Sequence, residues 1–398
     1  MSWYNRIICY GVLFSSVRML IGATSAIYLL GHGLTIAELG LLKSLQAGAM
    51  FCLDVPTSYL ADKFGRRLSI FVAGVFGVAW LLLTGMAYNK AFLYAGEFAN
   101  ALSLCFSNGA FNAILVDQFR IEKPGVAIKN VLGRFGTLQT IGMAIAALAG
   151  ASLFQPTSRS VWFLAALLLA VQICLLRFMI PAETLRPSTD SNRRPGISVK
   201  LSAAFTALTE LRGHAFLSGW IFIAVSAAYQ MIIQFWQIVA APNTAQADHA
   251  HLGPLFVAIL LMQSLASMAT PRIRSFYAAI LISGAGLLLS SLIVLASRGE
   301  QALPLVAAIL LFFFFLKIGM IASQAELHES LPSALRATLE SGVSTLMRLV
   351  VLALLPVFGL LFSLFGPVTI SLIGAGSVIV LLPALKYLRR PDWGRRTG

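Results

Sequence analysis

The fold is decided by the stretch Asp54-Val55-Pro56-Thr57-Ser58-Tyr59-Leu60-Ala61-Asp62-Lys63-Phe64-Gly65-Arg66-Arg67. It follows a largely apolar run that begins at Ile36 and precedes a second apolar run, 68–88. The charged residues of the stretch therefore fall in a short connection between two apolar segments, each long enough to span a membrane as a helix. Such a charged connection is expected at the membrane surface, where Lys and Arg stay in water.

Composition supports the same environment for the whole chain. Hydrophobic residues form 58% of it and charged residues 11%, whereas soluble domains contain about 45–50% and about 25%. A helix needs about 20 apolar residues to cross a hydrocarbon layer of roughly 30 Å, and its backbone must be hydrogen-bonded internally. Twelve such spans use about 250–290 residues of the 398. The composition predicts an all-α membrane protein with 12 transmembrane helices. Its predicted partner is the lipid bilayer that surrounds these helices.

The net charge of +14 raises the alternative of a nucleic-acid-binding protein. Basic residues, however, are dispersed over alternate loops, and only Lys90, Arg159 and Arg298 fall on the loops of the opposite side. The positive-inside rule then places both termini in the cytoplasm. A polybasic binding surface is disfavoured because the basic runs are not interleaved with exposed aromatic residues. No nucleic-acid partner is predicted.

Apolar runs define two sets of six spans. The first set is 7–30, 36–60, 68–88, 91–116, 130–154 and 160–180, and the second set is 214–240, 252–269, 275–297, 302–325, 336–365 and 367–388. The longest polar stretch, 181–212, is rich in Pro, Ser and Arg and separates them. We therefore predict an N-terminal six-helix bundle at 1–180, a cytoplasmic linker at 181–212 and a C-terminal six-helix bundle at 213–398.

The opening stretch resembles a known signature. Asp62, Lys63, Gly65 and the pair Arg66-Arg67 are similar to the loop between helices two and three of the major facilitator superfamily, and Ser58 stands where that family has Gly. The acidic-x-Pro-Thr pattern at 54–57 resembles a bacterial branch that contains many efflux permeases. The resemblance implies two pseudo-symmetric bundles that rock about a mid-membrane site. It also implies the bacterial cytoplasmic (inner) membrane and a single chain that is functionally complete.

The same resemblance implies a gate at the inner membrane surface. Asp62 would lie against the start of helix eleven, where the helix dipole favours a carboxylate. Either Arg66 or Arg67 would pair with Asp117, and Gly65 would permit the tight turn between the helices. The alternative is that these charges only orient the hairpin at the interface.

Several charges fall inside predicted spans, where each needs a partner or a hydrated cavity. At 1.5 Å per residue, Arg18 lies about 17 Å along span one and Glu97 about 9 Å into span four, which places them at similar depth. We expect them to pair and to face substrate, or to form a purely structural ion pair. Asp54 and Arg134 lie about 6–9 Å from the inner face. They are expected to pair with each other, or Arg134 with Asp117.

Two further basic residues lie in the second set of spans. Lys317 and Glu340 fall at similar depth and are candidates to neutralise each other, whereas Arg348 has no acidic residue at its level. Arg348 would then face an anionic substrate, water or backbone carbonyls. Proton coupling needs a carboxyl group whose protonation depends on its surroundings. Glu97 is the first candidate for that role and Asp54 the second.

Span seven carries an uncharged polar stripe at helical spacing. Amides beside aromatic rings suit a site that hydrogen-bonds to an organic molecule and stacks on it, although amides also join helices in membrane bundles. Span four offers Asn100 in a comparable stripe. The candidate substrate-binding residues of span seven are Ser226, Tyr229, Gln230, Gln234, Trp236 and Gln237.

The sequence contains no catalytic constellation and no nucleotide-binding glycine pattern, so we predict neither an enzyme nor a cofactor. His249 and His251 beside Asp248 have the spacing of an ordinary solvated loop, and no metal site is predicted. The predicted function is a proton-coupled secondary transporter that exports a small anionic or amphiphilic organic compound, such as a metabolite, a siderophore-like product or a drug. The alternatives are an uptake symporter for an organic anion, a lipid flippase and a non-transporting membrane protein.

Overall fold

The structure is a computed structural model that describes residues 2–123, 128–153, 157–181, 213–241, 251–298, 302–331 and 336–376, with Gln155, Ser202, Thr206 and Thr209. These residues are mostly helical and contain no strand. The side chains of Asp62, Asn108, His214 and Glu340 lie outside the described residues, as do His249 and most of the predicted linker and of span twelve. The predicted contact of Asp62 and the predicted Lys317–Glu340 pair therefore fall outside them.

Seven helices precede the linker region. They are α1 (Trp3–Met19), α2 (Ser25–Gly31), α3 (Ile36–Phe64), α4 (Arg66–Gly85), α5 (Lys90–Glu122), α6 (Ile128–Leu153) and α7 (Ser160–Met179). Helix α4 packs against α5 and α7, and α1 packs against α6 and α7. Aromatic residues fill this core at both ends, with Tyr28 against Trp162 in one cluster and Tyr4 against Phe119 in the other.

Among the described residues after the linker region there are five further long helices and a short helical stretch at 371–376. They are α8 (Gly213–Ala240), α9 (Leu252–Ala269), α10 (Phe276–Ala296), α11 (Ala302–Ser330) and α12 (Arg336–Phe365), with short 3₁₀ helices at Thr270–Arg272 and Gly366–Ile370. Helix α11 packs against α8 and α10, and α12 packs against α8.

Ten stretches of the described residues are helical, long and apolar enough to cross a membrane. Large apolar side chains such as Ile145, Leu167 and Leu292 point outward and are exposed. A soluble monomer rarely exposes so much apolar surface, whereas in a bilayer lipid covers it. These features confirm the predicted all-α membrane protein. The difference from the predicted twelve spans lies at the two ends, because the first span is divided between α1 and α2 and the last extends beyond the described residues.

The chain divides into two units. Unit one comprises Met1–Thr35, Leu42–Ile197 and Ala245–Val257, and unit two comprises Ile36–Leu41, Ser198–Thr244 and Ala258–Gly398. The first residues of α3 thus group with unit two, and the rest of that helix groups with unit one. The division of the chain at 180 and 213 into two bundles stays a prediction.

The first predicted span, 7–30, is not one continuous helix. Helix α1 ends at Met19, and tight turns follow in which Gly22 N–H donates to Met19 C=O at 3.0 Å and Thr24 N–H donates to Ile21 C=O at 3.1 Å. Gly150 of α6 packs against the break so closely that a Cβ there would lie 1.8 Å from the carbonyl oxygen of Leu20. The chain at the break therefore packs against a glycine of a neighbouring helix, where a larger residue would clash.

Gly65 alone joins α3 to α4. Its φ of +96° lies in the left-handed region, which glycine occupies without a steric penalty. Helix α3 contains Pro56 and continues to Phe64, and α4 begins at Arg66. The predicted tight turn at Gly65 is therefore confirmed, although the connection is shorter than the predicted spans implied.

Candidate functional site

Charged and polar side chains cluster inside unit one at the mid-part of α5. Glu97, Asn100 and Ser103 follow one another at three-residue intervals, so they share one face of that helix. All three side chains are buried. Arg18, in the last turn of α1, and Lys43, in α3, reach this face from neighbouring helices.

Glu97 forms a buried ion pair with Lys43. The Nζ of Lys43 donates to Oε1 of Glu97 at 2.7 Å, and only 14% and 5% of the two side chains are exposed. The predicted direct pair between Arg18 and Glu97 is therefore wrong. Asn100 joins the two groups instead, because its Nδ2 donates to Glu97 Oε1 at 3.1 Å and its Oδ1 accepts from Arg18 Nη2.

Arg18 is held by neutral groups. Its Nη1 donates to Ser103 Oγ at 2.9 Å, and its guanidinium carbon lies 4.6 Å from the ring centroid of Trp80 and 5.5 Å from that of Phe14. Cation–π contacts of this kind stabilise a desolvated arginine. A Cβ at Gly77 would lie 3.3 Å from Arg18 Nη1, so this glycine leaves room for the guanidinium.

The cluster of Arg18, Lys43 and Glu97 carries more positive than negative charge. Among the described residues, the only ion pair that involves any of the three is the one between Lys43 and Glu97. Two cations and one carboxylate leave a formal excess of one positive charge when all three are ionised. Such an excess inside a membrane bundle is unfavourable unless water, a helix dipole or a ligand compensates it.

A cavity of ≈ 270 Å³ adjoins Arg18 within unit one. It follows α1 from Tyr10 to Met19 and is closed on other sides by residues of α4, α5 and α6. Its polar lining includes Ser15 and Gln139, whose Nε2 donates to Ser15 Oγ at 2.6 Å. The Tyr10 hydroxyl is buried and has no hydrogen-bond partner among the described residues. The apolar lining is Gly11, Phe14, Met19, Ile70, Leu104, Phe111, Phe135 and Met143.

Sequence reasoning missed Lys43, although a signal for it was present. Lys43 lies seven residues after the start of α3, and Glu97 seven residues after the start of α5. At 1.5 Å per residue both side chains lie about 10 Å from the same end of their helices. Matching depths across neighbouring spans would have paired Glu97 with Lys43 as readily as with Arg18.

The polar stripe of span seven lies on α8 in unit two. Ser226 is buried and its hydroxyl has no hydrogen-bond partner among the described residues. The hydroxyl of Tyr229 donates to Gln263 Oε1 at 3.0 Å, and the Tyr229 ring packs edge-on against Phe313. In the rest of the stripe, burial is partial for Gln230 and Gln234 and nearly complete for Trp236 and Gln237.

Unit two also contains an almost wholly apolar cavity of ≈ 330 Å³. Its walls include Trp220, Met231 and Leu316, and none of the three glutamines of span seven lines it. Lys317 and Arg348 are half-buried and do not line it either. The predicted polar stripe and this cavity therefore lie on different faces of α8.

The charges of the α3–α4 hairpin are only partly arranged as predicted. Arg66, one of the two arginines predicted to pair with Asp117, forms an ion pair with it. Arg134 is exposed, and among the described residues no ion pair joins it to Asp54 or Asp117, so that prediction is wrong. Asp54 is half-buried. Within the described part of the chain, no group of three or more His, Cys, Asp or Glu side chains comes together to hold a metal ion.

Solved structures with the same fold include several transporters. The nucleoside transporter NupG matches with a TM-score of 0.79 and 14% identity over 98% of this chain and 100% of its own. A POT family transporter in complex with 5-aminolevulinic acid matches with a TM-score of 0.71 and 13% identity, over 96% of this chain and 95% of its own. The human organic anion transporter MFSD10 (TETRAN) matches with a TM-score of 0.61 and 15% identity, over 96% of this chain and 99% of its own.

At these identities the likeness shows the fold alone. No curated protein matches the sequence. The sequence model of the Major Facilitator Superfamily, in contrast, matches residues 7–338, which is most of the chain. The resemblance drawn from the hairpin signature is therefore confirmed, and this chain belongs to the Major Facilitator Superfamily.

Proposed function

We propose that this protein is a secondary active transporter that moves a small organic anion across the membrane by alternating access. One observation carries the proposal. Membrane-spanning helices of unit one place the buried Arg18 and the mostly buried Lys43 near a single carboxylate, Glu97, and a cavity reaches Arg18. An anionic ligand would compensate the excess charge, whereas a cationic ligand would increase it.

The chemistry of the cluster suits a carboxylate. Arginine presents five N–H donors in a fixed fork, and the bonds of Arg18 to Ser103 and Asn100 use two of them. Charge-assisted bonds between arginine and a carboxylate are about twice as strong as neutral ones. Among the relatives of known fold, one is an organic anion transporter and one is in complex with 5-aminolevulinic acid. Their low identity makes them compatible with the proposal rather than evidence for it.

Unit two is proposed to carry substrate-binding residues of its own. The polar face of α8 offers hydrogen-bonding and aromatic groups, and Lys317 and Arg348 add positive charge in α11 and α12. The half-buried amides of Gln230 and Gln234 would hydrogen-bond to uncharged polar groups. The proposed substrate-binding residues of unit two are Ser226, Tyr229, Gln230, Gln234, Trp236, Lys317 and Arg348.

The remaining roles are proposals from the family resemblance. Glu97 and Asp54 would carry the transported proton, and both termini would lie in the cytoplasm of a bacterial cell, with a monomer in the inner membrane as the working unit. The α3–α4 hairpin and its partners would gate the inner side. The proposed gating residues are Asp62, Gly65, Arg66, Arg67, Asp117 and Arg134.

Two directions of transport follow from different observations. The acidic-x-Pro-Thr pattern at 54–57 favours proton-coupled export of an anionic or amphiphilic compound. The excess positive charge around Glu97 favours the second candidate, which is uptake of an organic anion together with protons.

A counterflow experiment tests the proposed class of substrate without any ion gradient. Purified full-length protein is reconstituted into liposomes loaded with a monocarboxylate such as phenyllactate, and entry of the labelled compound is compared with entry of its uncharged amide. We expect exchange of the acid and not of the amide, and at least a tenfold lower rate for Arg18→Met. Equal exchange of acid and amide, or exchange unaffected by Arg18→Met, would contradict an anion site at Arg18.

A further inference from the structure

The ion pair between Lys43 and Glu97 uses one of the two cations of the cluster. Glu97 provides Lys43 with a carboxylate at 2.7 Å, which is the group that an organic acid would otherwise offer. Arg18 is linked to the same carboxylate only through the amide of Asn100. The protein's own acid thus occupies one of two cations, and the second has no acidic partner within the described residues.

The surroundings of Glu97 contain few other charges. Helix α3 contributes Lys43 and, about 7–8 Å nearer its start, Glu38. Helix α1 contributes Arg18, since its other basic residue, Arg6, lies near its start. The charged residues of α4, α6 and α7 lie near the opposite ends of those helices. Lys43 and Arg18 are therefore the main charges around Glu97.

The cavity beside Arg18 limits the size of the ligand. Its ≈ 270 Å³ lies just below the range of roughly 300–1,000 Å³ that is usual for ligand pockets. The walls are mainly apolar, with Phe14, Phe111 and Phe135 among them, and Arg18 and Gln139 contribute polar groups. A small monocarboxylate with an apolar body fits both the volume and the lining.

We propose, on the basis of the proposed function, that a proton on Glu97 and a small organic monocarboxylate beside Arg18 occupy this cluster together, so that the protein is an anion–proton symporter. A proton from water binds Glu97 Oε1 and breaks its ion pair with Lys43. The formal charge of the cluster rises from +1 to +2. The carboxylate of the substrate then binds Arg18 from the cavity and returns the charge of the cluster to +1. On the other side of the membrane both ligands leave, and Glu97 pairs with Lys43 again.

The sign of the coupling follows from these charges. Protonation of Glu97 strengthens attraction of an anion, and by thermodynamic reciprocity the bound anion strengthens binding of the proton by the same factor. A cationic substrate would instead compete with the proton for the cluster. Such competition is what a transporter needs in order to exchange its substrate for protons. One monoanion with one proton moves no net charge, so a membrane voltage should leave the flux unchanged.

The proposal is tested by measuring which direction of an imposed pH gradient drives uptake of the substrate. Proteoliposomes of the full-length protein receive labelled lactate, 2-oxoisovalerate or phenyllactate, with uridine as an uncharged comparison, and trapped pyranine reports the internal pH. With the outside one pH unit more acidic, we expect accumulation of at least one of these acids, approaching tenfold because each pH unit is about 1.4 kcal/mol. The lumen should acidify as the acid enters. Protein-free liposomes correct for passive entry.

Substitutions of Glu97 and Lys43 separate proton coupling from transport of the anion itself. Glu97→Gln fixes the cluster at +2 without a titratable acid, so anion exchange should persist while accumulation driven by the pH gradient falls to the level of protein-free liposomes. Because this variant leaves Lys43 unpaired and can fail to fold, the double variant Lys43→Met with Glu97→Gln is measured beside it and should also exchange without coupling. Glu329→Gln, which removes an exposed carboxylate, is the matched control and should behave as the wild type.

The outcomes distinguish the two levels of the proposal. Accumulation driven by an acidic lumen would overturn symport and favour exchange of substrate for protons, while anion transport itself would stand. Unchanged coupling in both Glu97 variants would also overturn the assigned role of Glu97. Flux of uridine but of none of the acids, or no flux in either direction, would contradict the proposed function itself.

Discussion

Removal of Glu97 should destabilise the protein more than removal of Lys43. The pair is separated by 2.7 Å and is almost fully buried, and at an effective dielectric constant of 20 its attraction is about 6 kcal/mol. Removing one member of a buried pair typically costs about 3–5 kcal/mol, because the other charge is left without compensation. Glu97→Gln leaves two cations and no acid in the cluster. Lys43→Met leaves Glu97 beside Asn100 and near Arg18.

We therefore expect losses in the free energy of unfolding of about 5 kcal/mol for Glu97→Gln and about 3 kcal/mol for Lys43→Met. The double variant leaves only Arg18 charged and should lose less than the sum of the two, with a coupling energy of at least about 2 kcal/mol. The measurement is unfolding of the purified protein in detergent micelles by titration with sodium dodecyl sulfate, followed by circular dichroism.

The ion pair at the α3–α4 hairpin provides the comparison. Arg66 and Asp117 have side chains that are 27% and 53% exposed, so Asp117→Asn should lower stability by less than about 1 kcal/mol. If both single variants of the Lys43–Glu97 pair also changed stability by less than about 1 kcal/mol, the pair would be hydrated like the surface pair. The electrostatic reasoning behind the cluster would then fail.

Three further substitutions test the packing around the site and the turn. Gly150→Ala places a methyl group where it would meet the Leu20 carbonyl oxygen, and an overpacking loss of about 1–3 kcal/mol is expected in the same titration; an unchanged midpoint would show that the break in the first span can shift. Gly65→Ala forces a non-glycine residue to φ +96° and should cost about 1–3 kcal/mol, whereas Ser58→Ala nearby should be nearly neutral. Tyr229→Phe removes the bond to Gln263 and should cost about 1 kcal/mol, and a stabilised variant would indicate that this bond is strained.

Hydropathy and one signature were sufficient to predict the fold. Backbone groups in lipid must bond within their own segment, so apolar runs of sufficient length could only be helices. Gly65 and its charged neighbours located the turn between α3 and α4 because a positive φ and a water-facing charge both have residue-level signals. The break after Met19 has only Gly22 as a signal in its own sequence, and its close contact with Gly150 involves a helix more than a hundred residues away.

The sequence predicted the depth of the charged residues of the candidate site, but not which of them pair. Positions along a span give depth at 1.5 Å per residue, and this correctly brought Arg18 and Glu97 to neighbouring levels. Which cation meets the carboxylate depends on how α1 and α3 are rotated against α5, and a single sequence contains no measure of that rotation. The structure resolves it in favour of Lys43, with Asn100 between the other two groups.

The break in the first span also bears on how strongly the cluster attracts an anion. Arg18 lies in the last turn of α1 because that helix ends at Met19, and a helix C-terminus carries about half a negative charge within its last turn. A continuous first span would place Arg18 in mid-helix, without that compensation. The helix end therefore offsets part of the excess positive charge and leaves the rest for a ligand. A transporter needs this intermediate attraction, because a site that held an anion too tightly would not release it on the other side. If the cluster binds an anion as proposed, Gly150, which packs closely against the Leu20 carbonyl at the break, would influence the affinity of a site that it does not touch.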